Sequence, residues 1–204
     1  MKNMKKFLGI IAILEIVGFG LVACDNGNGG GGYNDLNLSI GDTGPGGGIV
    51  FYKKAAVSDG WRYLEAAPED HETDISWCSC SYSSSGYCYV TTTGTAIGTG
   101  KANNAAIIAA THPGGTLTAS NCAAKACADY RGGGKSDWFL PSNFELNEMY
   151  MARTHLGIWS GVFWSSSQYD DNYQGAWGQD FDDGGQRLYI AKYGNRSVRA
   201  VRAF

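Results

Sequence analysis

Residues Phe163 to Phe204 read FWSSSQYDDNYQGAWGQDFDDGGQRLYIAKYGNRSVRAVRAF, and this stretch decides the fold. Short apolar and aromatic runs alternate with turns rich in Asp, Asn, Gly and Tyr, which is typical of strands joined by loops. The pattern predicts strands at about 161–167, 176–182, 186–192 and 197–203. Tyr, Ser, Asn and Gly on loops are also the composition of a recognition surface. We therefore predict that this stretch carries a binding face.

The chain upstream of this stretch predicts a scaffold of both strands and helices. Two glycine-bounded runs, Gly41 to Tyr52 and Gly60 to Pro68, predict strands that pair as a hairpin across 53–59. Residues 69–100 predict a long irregular loop. Helices are predicted at about 101–111, 121–130 and 142–153, the last opened by a capping box of Ser142 and Glu145. Strands, then helices, then strands predict an α+β fold with an antiparallel sheet and helices on one side.

The N-terminus predicts export. Lys2, Lys5 and Lys6 precede an apolar run from Phe7 to Val22 that Glu15 interrupts. This is the order of a signal peptide, and Leu21-Val-Ala-Cys24 resembles the lipobox at which a signal peptidase cuts before a lipid-bearing cysteine. We assign 1–23 to the signal peptide. The alternatives are a cleaved signal without lipid or a membrane helix, for which the run is short.

The segment after Cys24 predicts a tether between membrane and domain. Lipid on Cys24 anchors the chain to the membrane, because two or more acyl chains give stable attachment. Residues 24–39 include DNGNGGGG, which behaves as a flexible linker, and 40–204 form the domain. The predicted location is the bacterial cell envelope, on the outer membrane surface. The formal net charge of −3 and the absence of a basic cluster in the sequence exclude nucleic acid as the expected partner.

The sequence has six cysteines, of which Cys24 is assigned to lipid. In an exported protein the others favour disulfides. Cys122 and Cys127 are candidates to pair if the helix there is distorted. Two of Cys78, Cys80 and Cys88 form a second candidate pair, and the alternative is that these three thiolates bind zinc, although the paired Cys-x-x-Cys spacing of structural zinc sites is missing.

Other motifs indicate no catalysis. The glycines before Ile49 precede a strand, whereas a phosphate loop leads into a helix, and GGGKS at 132–136 lacks the first glycine of a phosphate-binding motif. No cofactor is expected; besides zinc, the metal considered is calcium, on the oxygen-rich group Asp170, Asp171, Asp180, Asp182 and Asp183. Their alternative role is to form turns. The tryptophans are expected in the core, with Trp164 and Trp177 as alternatives for stacking on a sugar.

Several blocks together resemble a known family. They are GDTGPGGGIVFY from Gly41, GWRYLEAAP from Gly60, IGTGKAN from Ile97, DWFLPS from Asp137, ELNEMY from Glu145, FWSSS from Phe163 and SVRAVR from Ser197. They are similar to the DUF1566 family, also called the Lcl C-terminal domain family, of bacterial surface lipoproteins, over about 40–204. The resemblance implies a C-type-lectin-like fold, related to the formylglycine-generating enzymes. It also implies that the first and last strands pair, with Ile49 to Phe51 beside Val198 to Ala203.

The segment from Trp164 to Arg199 further resembles the treponemal variable protein of diversity-generating retroelements, in which binding positions are mutagenised. That resemblance implies a ligand-binding set. Its members are Tyr169, Asp170, Asp171, Asn172, Tyr173, Asp182, Asp183, Gln186, Leu188, Tyr189, Ile190, Tyr193, Asn195 and Arg196, with Gly175 and Gly178 as further variable positions.

The expected function is therefore that of a tethered, non-enzymatic module that binds a protein or glycan. The sequence lacks the Glu-Pro-Asn, Gln-Pro-Asp and Trp-Asn-Asp signatures of calcium-dependent lectins, so calcium-mediated sugar binding is not implied. It has no cysteine after Cys127, so the formylglycine-generating activity is not carried over. The alternatives are an envelope enzyme, for which the sequence shows no nucleophile with an orienting base, and a structural envelope lipoprotein.

Overall fold

In this computed structural model of the protein, the described residues are 36–68, 72–79, 90, 93–110, 116–169 and 174–204. The expectations for the signal peptide and for Cys24 lie outside them. So do those for Cys80, Cys88, Asp170, Asp171, Asn172 and Tyr173, and for the side chain of Tyr189.

The fold is α+β, with two sheets and few helices. The strands are β1 (Ile49–Ser58), β2 (Trp61–Ala66), β3 (Glu72–Ser76), β4 (Val162–Gln168), β5 (Gly175–Asp180), β6 (Gln186–Ala191), β7 (Asn195–Val198) and β8 (Val201–Ala203). The helices are α1 (Gly100–Ala109), α2 (Ala123–Asp129), α3 (Asn143–Met151) and α4 (Arg153–Leu156). One sheet has the order β1-β2-β8, and the other β3-β7-β4-β5-β6.

The expected hairpin of β1 and β2 is confirmed, but β1 is longer than predicted. Residues 53–58 continue β1, and only Asp59 and Gly60 form the turn. Both have positive φ, +55° and +78°, which is the backbone geometry of a two-residue type I′ turn. Glycine at the second position adopts it without steric cost.

The expected pairing of the first and last strands is wrong. β8 pairs with β2 instead, with Leu64 opposite Ala203 and Ala66 opposite Val201, so β2 lies between β1 and β8. The physical reason lies at the middle pair, Glu65 opposite Arg202. Both side chains are buried, and their ion pair places a charge on β8 beside the opposite charge on β2.

The strand predicted at 197–203 is divided between the two sheets. β7 ends at Val198 and β8 begins at Val201, because the buried Arg199 turns aside to bind main-chain carbonyls. Its Nε donates to Ala67 O at 2.7 Å, and its guanidinium also donates to Leu156 O and Pro68 O. β7 is antiparallel to β3 but parallel to β4, so the larger sheet is mixed rather than purely antiparallel as predicted.

The predicted loop at 69–100 contains a strand that the sequence pattern did not indicate. β3 lies at the edge of the larger sheet, next to β7. Its ETDIS sequence is short and mostly polar, so it lacks the apolar alternation by which strands are detected. Trp77, which follows it, is completely buried and donates from Nε1 to Ser165 O at 2.7 Å.

The capping box that opens α3 is confirmed. Ser142 N donates to the Glu145 carboxylate at 2.7 Å, and Glu145 N donates back to Ser142 Oγ. The same carboxylate accepts from Gly98 N at 2.8 Å, just before α1, so Glu145 joins the starts of two helices. Helices α1 and α2 also form where predicted, and each is shorter than expected.

The expected disulfide between Cys122 and Cys127 is not formed; both are buried free thiols. Pairing required a distorted helix, whereas α2 is regular from Ala123 to Asp129 and Cys122 precedes it in an extended conformation. Burial raises the pKa of both thiols. Cys78, by contrast, is disulfide-bonded, so it is not a thiolate ligand in the zinc site considered as an alternative.

Burial in the core excludes Trp164 as a residue that stacks on a sugar. Trp164 is fully buried with Trp77, and its Nε1 donates to Ile75 O at 2.9 Å, so its ring faces no solvent. A second apolar cluster, around Phe51, Leu146 and Phe181, joins α3 to both sheets. Within the part of the chain that the structure describes, no helix has the length and hydropathy to cross a bilayer.

Candidate functional site

The site begins with a bulge in β4 at the run Ser165 to Ser167. On either side of it, Trp164 pairs with Gly178 and Gln168 pairs with Ala176, so three serines stand opposite the single residue Trp177. Ser165 Oγ donates to Trp177 O at 2.9 Å. Such bulges bend a strand and redirect its side chains, and they occur often beside functional sites.

The serine bulge is held by hydrogen bonds to neighbouring segments. Ser167 Oγ donates to Gly94 O at 2.8 Å and accepts from Asn143 N at 3.0 Å. Ser166 Oγ accepts from Asn103 Nδ2 at 3.1 Å. Because the three serines are buried, each of these hydrogen bonds replaces a contact with water that a serine has lost. These contacts therefore fix the position of the bulge at the end of β4.

A second buried polar contact joins the ends of β4 and β6. Lys192, fully buried, donates from Nζ to Gln168 Oε1 and lies 4.3 Å from the centroid of the Trp77 ring. Its main chain continues the link, because Lys192 N donates to Gln174 O and Lys192 O accepts from Trp77 N, each at 2.9 Å. A buried ammonium requires such partners, so the position of Lys192 is strongly determined.

This framework brings Tyr169 and Tyr193 to the same end of the larger sheet. Tyr169 follows β4 and donates from its main-chain N to Gly175 O. Tyr193 follows Lys192, whose main-chain N donates to the oxygen of Gln174, the residue before Gly175. Tyr193 is 40% exposed, and Tyr169 is half-buried, with its ring edge-on to Trp177 at 5.9 Å between centroids. We call this the loop end of the sheet; the segment 170–173 connects there as well.

The edge strand β6 carries a second bulge, opposite Trp177. Arg187 pairs with Gly178 and Ile190 with Ala176, so Leu188 and Tyr189 stand opposite one residue. Leu188 is 53% exposed. Ile190, which is half-buried, packs against the apolar core. The extra residue changes the alternation, and therefore Leu188 and Ile190 do not share a face.

Asp182 and Asp183, the two acids of the expected binding set that the structure describes, lie at the opposite end of the β5–β6 hairpin. We call this segment, Asp180 to Arg187, the acidic turn. Asp182 Oδ2 accepts from Gly161 N at 3.1 Å, and Asp183 Oδ1 accepts from Gly185 N at 2.8 Å. Arg187 pairs with both Asp180, at 2.7 Å, and Asp183, at 2.5 Å.

The Arg187 hydrogen bond holds the pKa of the Asp180 carboxyl below its ordinary value. Such contacts stabilise a turn. Gln186, which is half-buried, also belongs to the acidic turn. Within the described ranges, no three His, Cys, Asp or Glu side chains are grouped as a metal site requires.

The structure thus divides the sequence-derived set into two groups. Tyr169 and Tyr193 share the loop end, and Asn195, exposed, begins β7 just after it; Arg196, half-buried, comes next and donates to Asn195 O. Asp182, Asp183 and Gln186 belong to the acidic turn, one strand length away, which is roughly 15–20 Å. The sequence pattern missed Gln168 and Lys192, because nothing in a single polar residue indicates that it is buried.

Gly175 and Gly178, which the retroelement resemblance offered as variable positions, are both buried. A Cβ on Gly178 would lie 2.6 Å from Ile190 Cδ1 and 2.8 Å from Phe163 O. The second contact is with main chain and cannot be relieved by a rotamer change. Gly178 therefore has to remain glycine in this fold, and the expectation that it varies is wrong.

A cavity of about 510 Å³ lies elsewhere, between β2 and the start of α1. Trp61 and Lys101 line it, and so does Glu145, whose pKa is raised by burial. The oxygens of Glu145 are already engaged by the main-chain groups that begin two helices, so this carboxylate has a structural role.

The comparisons with known proteins give no family or relative for the chain. No family model matches it, and no curated protein matches it either.

Proposed function

We propose that the chain is an envelope lipoprotein of the DUF1566 type, with a C-type-lectin-like domain that binds a protein or glycan at the loop end of its larger sheet. The lipid anchor is Cys24. The binding contacts come from Tyr169, Tyr193 and the segment 170–173 between β4 and β5, with Asn195 at the rim. The acidic turn is part of the scaffold.

One observation carries this proposal: two tyrosines at one end of the sheet stand on a buried, hydrogen-bonded framework. Tyr169 and Tyr193 are each adjacent in sequence to a member of the Gln168–Lys192 contact. A recognition surface needs side chains that are accessible and positioned before the ligand arrives, because each side chain ordered on binding reduces the affinity. Tyrosine suits this role, since it offers a large contact area with few rotatable bonds.

The loop sequence suits either of the two ligand classes. Asp170, Asp171, Asn172 and Tyr173 add two carboxylates, an amide and a phenol to the tyrosines already described. Together they supply hydrogen-bonding groups and an aromatic ring, which both a glycan and a polar protein surface accept. Trp177, half-buried, contacts the tyrosine ring of Tyr169 edge-on.

The test is a binding screen with the full-length chain in vesicles against a glycan array and a panel of purified extracellular proteins. The expected result is saturable binding that the double variant Tyr169→Ala/Tyr193→Ala loses. Binding that is equally strong in the wild type and in this variant, or no binding to either panel, would contradict the proposal.

A further inference from the structure

A second surface lies where the domain's described chain begins. Ile40 and Met151 are 39% and 67% exposed, and both line one depression of about 380 Å³ whose other walls include Phe51 and Thr154. Large apolar side chains exposed side by side indicate a surface that is covered by something in the working protein. We call it the Ile40–Met151 face.

The charges around this face favour an anionic, amphipathic partner. Lys53 lines the depression and donates from Nζ to Leu38 O at 2.8 Å. Arg153, the first residue of α4 and two positions after Met151, stacks over the Tyr150 ring at 4.2 Å. His155 also lines the depression. Among the described residues that line it the one acid is Glu148, whose pKa is raised by burial, and the exposed Asp42 lies two positions from Ile40. Basic side chains beside exposed apolar ones are the combination that binds an anionic lipid surface.

The length of chain before the domain places a lipid surface within reach. About a dozen residues, mostly glycine and asparagine, separate Cys24 from Leu36. A glycine-rich linker of that length has an end-to-end distance of roughly 20 Å. The Tyr63 hydroxyl fixes the next residues, because it donates to Leu36 O at 2.6 Å and accepts from Leu38 N at 3.2 Å. Ile40 follows only two residues later.

Helix α3 shows how this face is placed relative to the loop end. Its first residue, Asn143, donates to Ser167 Oγ beside the loop end. Its penultimate residue, Tyr150, contacts the acidic turn, where a Cβ on Gly184 would lie 2.5 Å from the Tyr150 ring. Met151 is therefore at the acidic-turn end, roughly 12 Å along the helix axis from the loop end.

We infer that the Ile40–Met151 face rests on the lipid bilayer and that the domain thereby presents its loop end away from the membrane. This inference rests on the proposed function, because Cys24 is what brings the domain to the bilayer. It adds an orientation: Ile40 and Met151 enter the headgroup region, Lys53 and Arg153 meet anionic headgroups, and Tyr169 and Tyr193 face outward.

The test measures how deeply a fluorescent probe on the protein lies in the lipid bilayer. The full-length chain carries Met151→Cys, or Tyr193→Cys as the far-end control, labelled with the fluorophore NBD in vesicles of phosphatidylcholine and phosphatidylglycerol. The chain without an added cysteine, treated in the same way, measures background labelling. A third variant, Thr154→Cys, labels the same face at an exposed polar position in case Met151→Cys does not fold.

We expect doxyl-labelled lipids to quench the probe at position 151 or 154 at least about threefold more than the probe at 193, because only the former reach the headgroup region. If the chain floats with the vesicles but all probes are quenched equally, the inference is overturned and the proposed anchor stands. If self-association of the protein shields the probe at position 151 and lipid does not quench it, the inference is overturned, because a second copy of the chain then covers this face. If the chain does not float with the vesicles, the anchor itself fails, and this inference fails with it.

Discussion

Arg202 on β8 and Glu65 on β2 form a buried ion pair, with 2.9 Å between Nη1 and Oε1. Glu65 also accepts from Gly46 N and Gly48 N, and Arg202 Nε reaches Asp137 at 2.5 Å. This group of contacts fixes the last strand to the second strand and to the glycine turn before the first. It also explains why that turn is rich in glycine, since a Cβ on Gly44 or Gly46 would lie within 2.7 Å of the Glu65 carboxylate.

Replacing Arg202 by methionine should lower the free energy of unfolding by about 3–5 kcal/mol, because it leaves the Glu65 charge buried without its partner. Urea unfolding followed by circular dichroism measures this. The double variant Glu65→Gln/Arg202→Met should be less destabilised than the sum of the single variants. Additive losses would show that the two side chains do not interact.

Glu145 should give the stability a specific dependence on pH. Burial raises its pKa in the folded protein, so the folded state binds more protons than the unfolded state between the two pKa values. Its contribution is fully present below the ordinary carboxyl pKa and is lost as the pH rises through the raised value. The slope of unfolding free energy against pH in this window should become less negative in Glu145→Gln.

The tyrosines of the loop end should carry binding to whichever ligand the screen identifies. Changing Tyr169 or Tyr193 to alanine should weaken affinity by about 1–2 kcal/mol for the one that acts as an anchor, or roughly 5–30-fold in Kd. The matched control is Asp182→Asn/Asp183→Asn in the acidic turn, which keeps the turn's hydrogen-bond acceptors. Isothermal calorimetry compares the affinities. A larger loss of affinity in the aspartate variant would place the binding site at the acidic turn and contradict the proposal.

Cys122 and Cys127 should be unreactive toward maleimide in the native protein and reactive in denaturant, because both thiols are buried and burial raises their pKa. Mass spectrometry of the peptides that contain them measures the labelling. A Cys122–Cys127 crosslinked peptide from unreduced protein would contradict the structure. Cys78 provides the control, since it should label only after reduction.

Gly178→Ala should destabilise the domain by about 2 kcal/mol or more, since the added methyl meets the main-chain oxygen of Phe163. Thermal unfolding measures this, and the matched control is Gly47→Ala, where a Cβ has open space but the φ of +75° is unfavourable. If Gly178→Ala were as stable as the wild type, β4 and β5 would not approach as closely as described.

Local signals in the sequence predicted much of the fold. The Ser142–Glu145 capping box acts over a few residues, so the start of α3 could be recognised directly. The hairpin was recognised from its two glycine-bounded runs, but its turn at Asp59-Gly60 was not. The two sheets could not be separated, because the division after Val198 depends on Arg199 reaching carbonyls more than a hundred positions away. β3 was missed for the same kind of reason: its partner, β7, lies far along the chain.

The candidate site was predictable in composition but not in arrangement. Tyr, Asp and Asn in the C-terminal stretch indicated a polar, aromatic surface, but an alternating pattern cannot show where a strand bulges. The extra residue at the β6 bulge leaves Leu188 exposed while Ile190 packs against the core, and the hairpin carries Asp182 and Asp183 to the end away from Tyr169. Lys192 was missed because its sequence neighbours do not indicate that it is buried.

The contact of Leu36 and Leu38 with Tyr63 and Phe204 has a mechanical consequence. If the anchor holds one end of the chain and a ligand is pulled at the other, the force enters the domain at Leu36. There it is resisted first by the two hydrogen bonds to the Tyr63 hydroxyl and by the stacked rings of Tyr63 and Phe204, 5.4 Å apart. Under flow or shear, this segment would peel away first and lengthen the tether before β1, β2 and β8 bear the load.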